Sequence, residues 1–347
     1  MAAGWQNPVM TQPRSTTLTE VARRAGVSLT TASRAINGKS RVSAATRARV
    51  LKIARELSFT PNPMARSLIS GRSGTIGLII VDSLAQRFVV PIMLGAEAAL
   101  SEIDLSMITT DAGGDVARLH ALAASMRRRK VDGLLVLGDD NMATPSVAGT
   151  VDLPTVYLYG ETGQAGEIAH VPDDRTMGGQ VARHLIGLGR HRIVHLTGPR
   201  GGRAVRERTR GIREALREAG LAPVAPTTYG LWSQLWAEEA ADRLLRQAPE
   251  IDAIVCGADQ LAAGVVRAVQ ASGRRVPDDV AVTGFDNWRV FALETRPHLT
   301  TVDLKLEDLG AAAVRDLFGV IDGDPVGGGS RLHQGELVVR GSTDPSA

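Results

Sequence analysis

Between Ser28 and Asn37 the chain puts Leu29, Thr30, Ser33 and Arg34 on one side of a helical repeat and Ala32, Ala35 and Ile36 on the other. The outward set carries a recognition chemistry. The planar fork of Arg34 can donate to O6 and N7 of a guanine together, while Leu29 can offer apolar contact, such as with a thymine methyl. The hydroxyl and amide groups of Ser28, Thr31, Ser33 and Asn37 suit phosphate oxygens, which set register on a duplex and carry no sequence information. Each could equally be a simple cap.

The elements that must position these groups are legible around them. Thr17-x-x-Glu20 has the form of a capping box. It opens a first helix whose apolar face is Leu18, Val21, Ala22 and Ala25. Gly26-Val27-Ser28 reads as the turn, with Gly26 tolerating the left-handed backbone that ends a helix and Ser28 capping the next. A third helix opened by Ser43 presents Val50, Ile53, Ala54 and Leu57. Together these predict a three-helix unit with a helix-turn-helix, whose second helix can lie in a major groove. Charge agrees. Residues 1–74 hold 12 Lys and Arg against two acids, Glu20 and Glu56, whereas the rest of the chain holds 28 bases against 35 acids. A basic head on an acidic body attracts phosphates and loses affinity as salt rises.

The 347 residues leave room for two or three domains. Cys256 is the only cysteine, set in an apolar run, so neither an intramolecular disulfide nor a cysteine-based zinc site is possible. Residues 1–14 read as a polar tail without the apolar stretch of a signal peptide, and no run approaches a membrane span, which points to the cytoplasm. Asn62, Pro63 and Gly71 bracket about two turns of helix, too short to be stable alone; by sequence physics the segment is a plain linker. From Thr75 onward short apolar strands alternate with amphipathic helices, the pattern of parallel βαβ units in two lobes. Expected strands are 76–81, 105–110, 133–137, 155–159, 193–197, 253–256, 280–284 and 337–339, with 327–329 a loop. Expected helices are 91–103, 117–129, 178–188, 207–219, 237–247, 258–271 and 306–320.

Three stretches resemble the lactose/galactose-repressor (LacI/GalR) family of transcriptional regulators. The first runs Leu18-x-x-Val21-Ala22-x-x-Ala25-Gly26-Val27-Ser28-x-x-Thr31-x-Ser33-Arg34-x-x-Asn37, followed by Val42-Ser43-x-x-Thr46-Arg47 and Pro61-Asn62-x-x-Ala65-Arg66-x-Leu68. The second joins His184-Leu185 to Gly198-Pro199 and Arg208-x-x-Gly211. The third is Val276-Pro277-x-Asp279-Val280-Ala281-Val282-x-Gly284-Phe285-Asp286, with Leu299-Thr300-Thr301-Val302. The resemblance implies an α + α/β fold: a helix-turn-helix headpiece (15–60), a hinge helix and linker (61–74), and a two-lobed core with parallel sheets like a periplasmic binding protein (75–347). It also implies three chain crossings, giving an N-lobe of about 75–172 and 303–332 and a C-lobe of about 173–302 and 333–347. Leu29, Thr30 and Arg34 match the family's base-reading positions. Asn62, Ala65, Arg66 and Leu68 fall in its minor-groove hinge, where the leucine wedges into a base step and bends the duplex.

The partners so implied are a pseudopalindromic double-stranded operator, a second copy of the chain, and a small polar effector such as a sugar in the cleft between lobes. A membrane is not among them. Arg208 matches the family's ligand-holding arginine, and Asp286, ending a strand, suits paired hydroxyls. Trp232 and Phe88 could stack on a sugar face. Tyr157 and Tyr159 are expected on one side of a strand ending at the cleft, Gln86 is expected to face the cleft from the N-lobe, and Asp173 begins the second lobe. Two departures stand out: Ala258 precedes Asp259, and Gln86 stands, where the family commonly has Asn. Losing the Asn at Ala258 removes a paired donor and acceptor from a simple hexose site. No cofactor is implied. The competing classes, an enzyme or a solute-binding protein on the same core, lack support: there is no phosphate-binding Gly-x-x-x-x-Gly-Lys loop and no Gly-x-Ser-x-Gly elbow. His191 and His195 flank a strand run that would hold them apart.

Overall fold

The computed structural model describes residues 17–36, 42–57, 59, 72–139, 143–344 and 346. The chain divides into two compact units at Ser73–Gly74. In the first, helices α1 (Leu18–Ala25), α2 (Leu29–Ile36) and α3 (Ala44–Glu56) enclose a small core of Val21, Ala22, Ala25, Ala32, Ala35, Val50 and Ala54. The Thr17 hydroxyl accepts from the Glu20 N–H at 3.3 Å, as a capping box requires, but the Glu20 carboxylate turns to Arg23. An ion pair one turn along thus engages the carboxylate on the helix surface. Gly26 ends α1 at φ +63°, and Ser28 accepts from the Thr31 N–H at 3.1 Å to begin α2.

The second unit holds two parallel sheets. Strands β1 (Thr75–Ile80), β2 (Ser106–Asp111), β3 (Gly133–Leu137), β4 (Thr155–Leu158) and β5 (Ile168–Pro172) form one, in the order β11-β5-β4-β3-β1-β2, where β11 (Gly329–His333) arrives from far along the chain. The second sheet has the order β7-β6-β8-β9, from β6 (Ile193–Thr197), β7 (Thr228–Tyr229), β8 (Ala253–Cys256) and β9 (Ala281–Thr283). A short antiparallel pair, β10 (Thr301–Asp303) with β12 (Glu336–Val338), completes the strands among the described residues. The chain crosses from one lobe to the other after Pro172, after Asp303 and after His333. Central strands such as β3 and β6 are buried at every position, because helices cover both faces of each sheet.

Helices α4 (Val89–Ser101), α5 (Val116–Arg128) and α11 (Leu306–Asp322) pack on the first sheet. On the second pack α6 (Asp174–Gly187), α7 (Arg203–Glu218), α8 (Gln234–Gln247) and α9 (Asp259–Ala271), with the four-residue α10 (Arg289–Ala292) before β10. The α6–α7 crossing is unusually close. A Cβ at Gly211 would lie 1.9 Å from the Arg175 carbonyl oxygen, and one at Gly178 would lie 2.5 Å from that of Arg208. Only glycine permits two backbones to meet so tightly.

The sequence reading missed β5, β7, β10, β11 and α10, and the loop expected at 327–329 already starts a strand at its last residue. These segments are short, and the Gly-Ser-Arg-Leu-His run of β11 has no β-branched residue to mark an edge strand. Among the described residues no helix is long and apolar enough to cross a membrane.

Candidate functional site

The residues that gather between the lobes all come from loops and helix starts at the carboxyl ends of parallel strands, where open α/β sheets place ligands. Arg87 follows β1, Tyr159 follows β4, Asp174 follows β5, Arg208 lies on the helix after β6, Gly257 follows β8 and Asp286 follows β9. The close α6–α7 crossing sets the Arg208 side chain on Asp174. Its Nε donates to Asp174 Oδ1 at 2.8 Å, and its Nη1 donates to the Gly257 carbonyl at 2.7 Å. Both partners of this pair are 1% exposed, and the guanidinium lies over the Phe285 ring at 4.4 Å. Arg203 donates to the other Asp174 oxygen at 2.8 Å.

Among the described residues, two ion pairs span the lobes. Arg87 Nε lies 2.6 Å from Asp286 Oδ2, and Arg203 Nε lies 3.4 Å from Glu161 Oε2. Arg87 also sits 5.5 Å from the centroid of Trp232. Burial works against the charge on Arg87, but Asp286 beside it outweighs that, holding the guanidinium above its ordinary value. The second Asp286 oxygen is 3.9 Å from Arg208 Nη2, so this carboxylate lies between two arginines. Asp286 and Asn287 both take left-handed backbone, at φ +97° and +49°. The Asn287 side chain holds the turn, donating to Asp303 and accepting from Arg340. Beneath it, Asp259 is fully buried, accepting from Thr301 Oγ1 at 2.5 Å and from the Trp288 N–H at 2.6 Å. Burial first, then the charge of Asp286, pushes Asp259 well above the usual carboxylate range.

Of the residues singled out from sequence, the structure brings Arg208, Asp286 and Trp232 into one constellation. Phe88 and Tyr159 stack on each other at 4.1 Å with an interplanar angle of 15°, yet both are buried, so they form the floor rather than an open sugar platform. Tyr157 does not share their side. Its hydroxyl donates to Glu167 Oε1 at 3.0 Å and accepts from the Val147 N–H at 3.0 Å on the opposite face, whereas Tyr159, beyond the strand end at φ +63°, turns to the Phe88 side. Gln86 donates back to Asp82 on its own loop at 2.7 Å, and Asp173 caps α6 by accepting from the Thr176 N–H. The acid that holds Arg208 is the next residue, Asp174. Neither it nor Arg87 carries a local signal, since Arg87 finds its partner 199 positions away.

On the first unit, Ser28, Leu29, Thr30 and Arg34 are exposed, with Leu29 at 51%, and Thr31 and Ser33 are half-buried. Asn37, Asn62, Ala65, Arg66 and Leu68 lie outside the described residues.

Comparison with known proteins yields a consistent set. Residues 17–62 match the model of bacterial regulatory proteins of the lacI family, and residues 182–343 match a periplasmic binding protein-like domain. The chain is 34% identical to the HTH-type transcriptional regulator CelR of Thermobifida fusca, over 96% of this chain and all of that one. A solved CelR–cellobiose complex is 31% identical with a TM-score of 0.67, covering 94% of this chain and 99% of that one. A lac repressor dimer bound to operator and the anti-inducer ONPF is 27% identical with a TM-score of 0.74, covering 95% and 99%.

Proposed function

Because the chain belongs to the LacI family of bacterial DNA-binding transcriptional regulators, a family of regulators rather than enzymes, we propose that it is a cytoplasmic repressor released from, or locked onto, its operator by a small polyhydroxyl effector. The observation that carries this reading is the constellation of Arg87, Arg208 and Asp286 at the strand ends. Arg208 presents a fork already oriented by Asp174 and Gly257, and Asp286 presents a carboxylate suited to paired hydroxyls. A ligand held by both lobes favours one lobe arrangement over another, and only such differential affinity can alter DNA binding. Residues 15–60 would read the operator, with Leu29, Thr30 and Arg34 at base edges. Residues 61–74 would link them to the effector core of 75–347, with Leu68 wedged in the minor groove.

The chain would act as a homodimer on a pseudopalindromic site. Val90 and Leu94 on α4, with Leu231, Leu235 and Val290, supply exposed apolar surface for pairing. Operator affinity by fluorescence anisotropy, with and without a panel of mono- and disaccharides that includes cellobiose, tests the reading. Arg208→Lys keeps the charge beside Asp174 but loses the fork, so it should bind operator normally and no longer respond to the sugar that acts on the native chain. A variant with an unchanged response removes Arg208 from the effector site.

A further inference from the structure

Helix α7 has a second arginine face. While Arg208 turns inward to Asp174, Arg206, Arg210, Arg213 and Arg217 succeed one another at three- and four-residue spacing along its exposed side. They line a groove of about 360 Å³ together with Thr209, Glu214 and Tyr229 at the end of β7. Arg200 lies over the Tyr229 ring at 4.7 Å, adding a fifth guanidinium beside it. Like charges one turn apart on a helix repel and destabilise it. Among the described residues lining the groove Glu214 is the only acid, and Arg175 of α6 grips both its oxygens, at 2.8 and 2.6 Å. Arg210 approaches the same carboxylate at 3.4 Å. The concentration runs against its background, since residues beyond 74 hold more acids than bases. All the cations lining the groove are arginines, whose planar forks match phosphate oxygens in pairs, as lysine cannot. The volume is that of a small-molecule site.

We propose that this groove is a second ligand site, separate from the interlobe cleft, for a small phosphate-bearing anion. Binding relieves the repulsion among the four guanidiniums and so stabilises α7, the helix that also carries Arg208. The anion sits against Arg210 and Arg213 at the centre of the row, with Arg206 and Arg217 at its ends.

Isothermal titration of the full chain with inorganic pyrophosphate tests this, with citrate as a carboxylate of comparable charge. The expected result is one pyrophosphate per chain, with affinity weakened about tenfold or more in the Arg210→Ala/Arg213→Ala double variant. Arg210→Lys/Arg213→Lys, which keeps charge and solubility, should lose a smaller part of it. Arg208→Lys should bind as the native chain does. The proposal fails if the native chain takes up no pyrophosphate, or if the double alanine variant binds it unchanged, which would assign binding to the basic headpiece. Loss in Arg208→Lys would move the site to the cleft, and equal affinity for citrate would overturn the phosphate assignment.

Discussion

At the scale of single residues, the Arg208–Asp174 pair sets the largest expected effect. Arg208→Ala would leave the Asp174 carboxylate 1% exposed with Arg203 as its remaining charged partner. Breaking a buried pair from one side costs about 3–5 kcal/mol. Urea unfolding should therefore show a large drop for Arg208→Ala, and a small one for Arg208→Lys. Arg87→Ala acts differently. It removes one of the two ion pairs that join the lobes, so hydrogen exchange should quicken in both 82–88 and 284–288, and further in combination with Glu161→Ala. Quickening on the Arg87 side alone would show that the pair holds a loop and not the lobes. In the headpiece, Arg34→Ala should cost about 1–3 kcal/mol on operator and far less on random DNA. Equal losses would reduce Arg34 to a phosphate contact. Arg208 and Asp286 were singled out because they fall in ordered motifs, Arg208-x-x-Gly211 on a helix and Gly284-Phe285-Asp286 after a strand. Arg87 and Asp174 were not, because a lone charged residue announces no partner until two distant loops meet.

Among elements, the α6–α7 crossing matters most for the cleft, since it fixes where Arg208 can reach. Gly211→Ala would drive a methyl group to 1.9 Å from the Arg175 carbonyl, which the two helices must separate to admit. Overpacking of this kind typically costs about 1–3 kcal/mol. The variant should melt earlier and lose effector response while the isolated headpiece contacts on DNA stay as they were; an unchanged melting temperature would mean the crossing is looser than described. The central strands were legible as short apolar runs and the long helices by their repeating periodicity: β3, β6 and β8 have the expected bounds, and α9 and α11 are displaced by a residue or two at one end. The missed strands are those with least pattern of their own. β7 is two residues long, and β11 is half-exposed at the sheet edge, so pairing with β5 rather than local preference makes it a strand.

For the whole molecule, buried histidines tie stability to pH. His195 is buried, and that burial, with the charges of Arg208 and Arg213, pulls it down to about 3. Burial likewise lowers His170 to about 4. A base whose folded value is depressed contributes its full stability above its unfolded value of about 6.5, and loses it as pH falls toward the folded value. Melting temperature should thus decline from about pH 6.5 to 4, and His195→Asn should flatten the slope by up to ~1.4 kcal/mol per pH unit. An unaltered slope would mean that His195 charges without cost. The three crossings between lobes have a further consequence, for how the chain is made. The edge of the first sheet, β11, leaves the ribosome only after the whole second sheet, and the β10–β12 pair of the second lobe is closed later still. Neither lobe can finish folding when its own first strands appear. The first lobe waits, with α4 and β5 uncovered, for α11 and β11, and the second waits for β12, so a newborn molecule needs protection from aggregation until residues 329–338 have been synthesised.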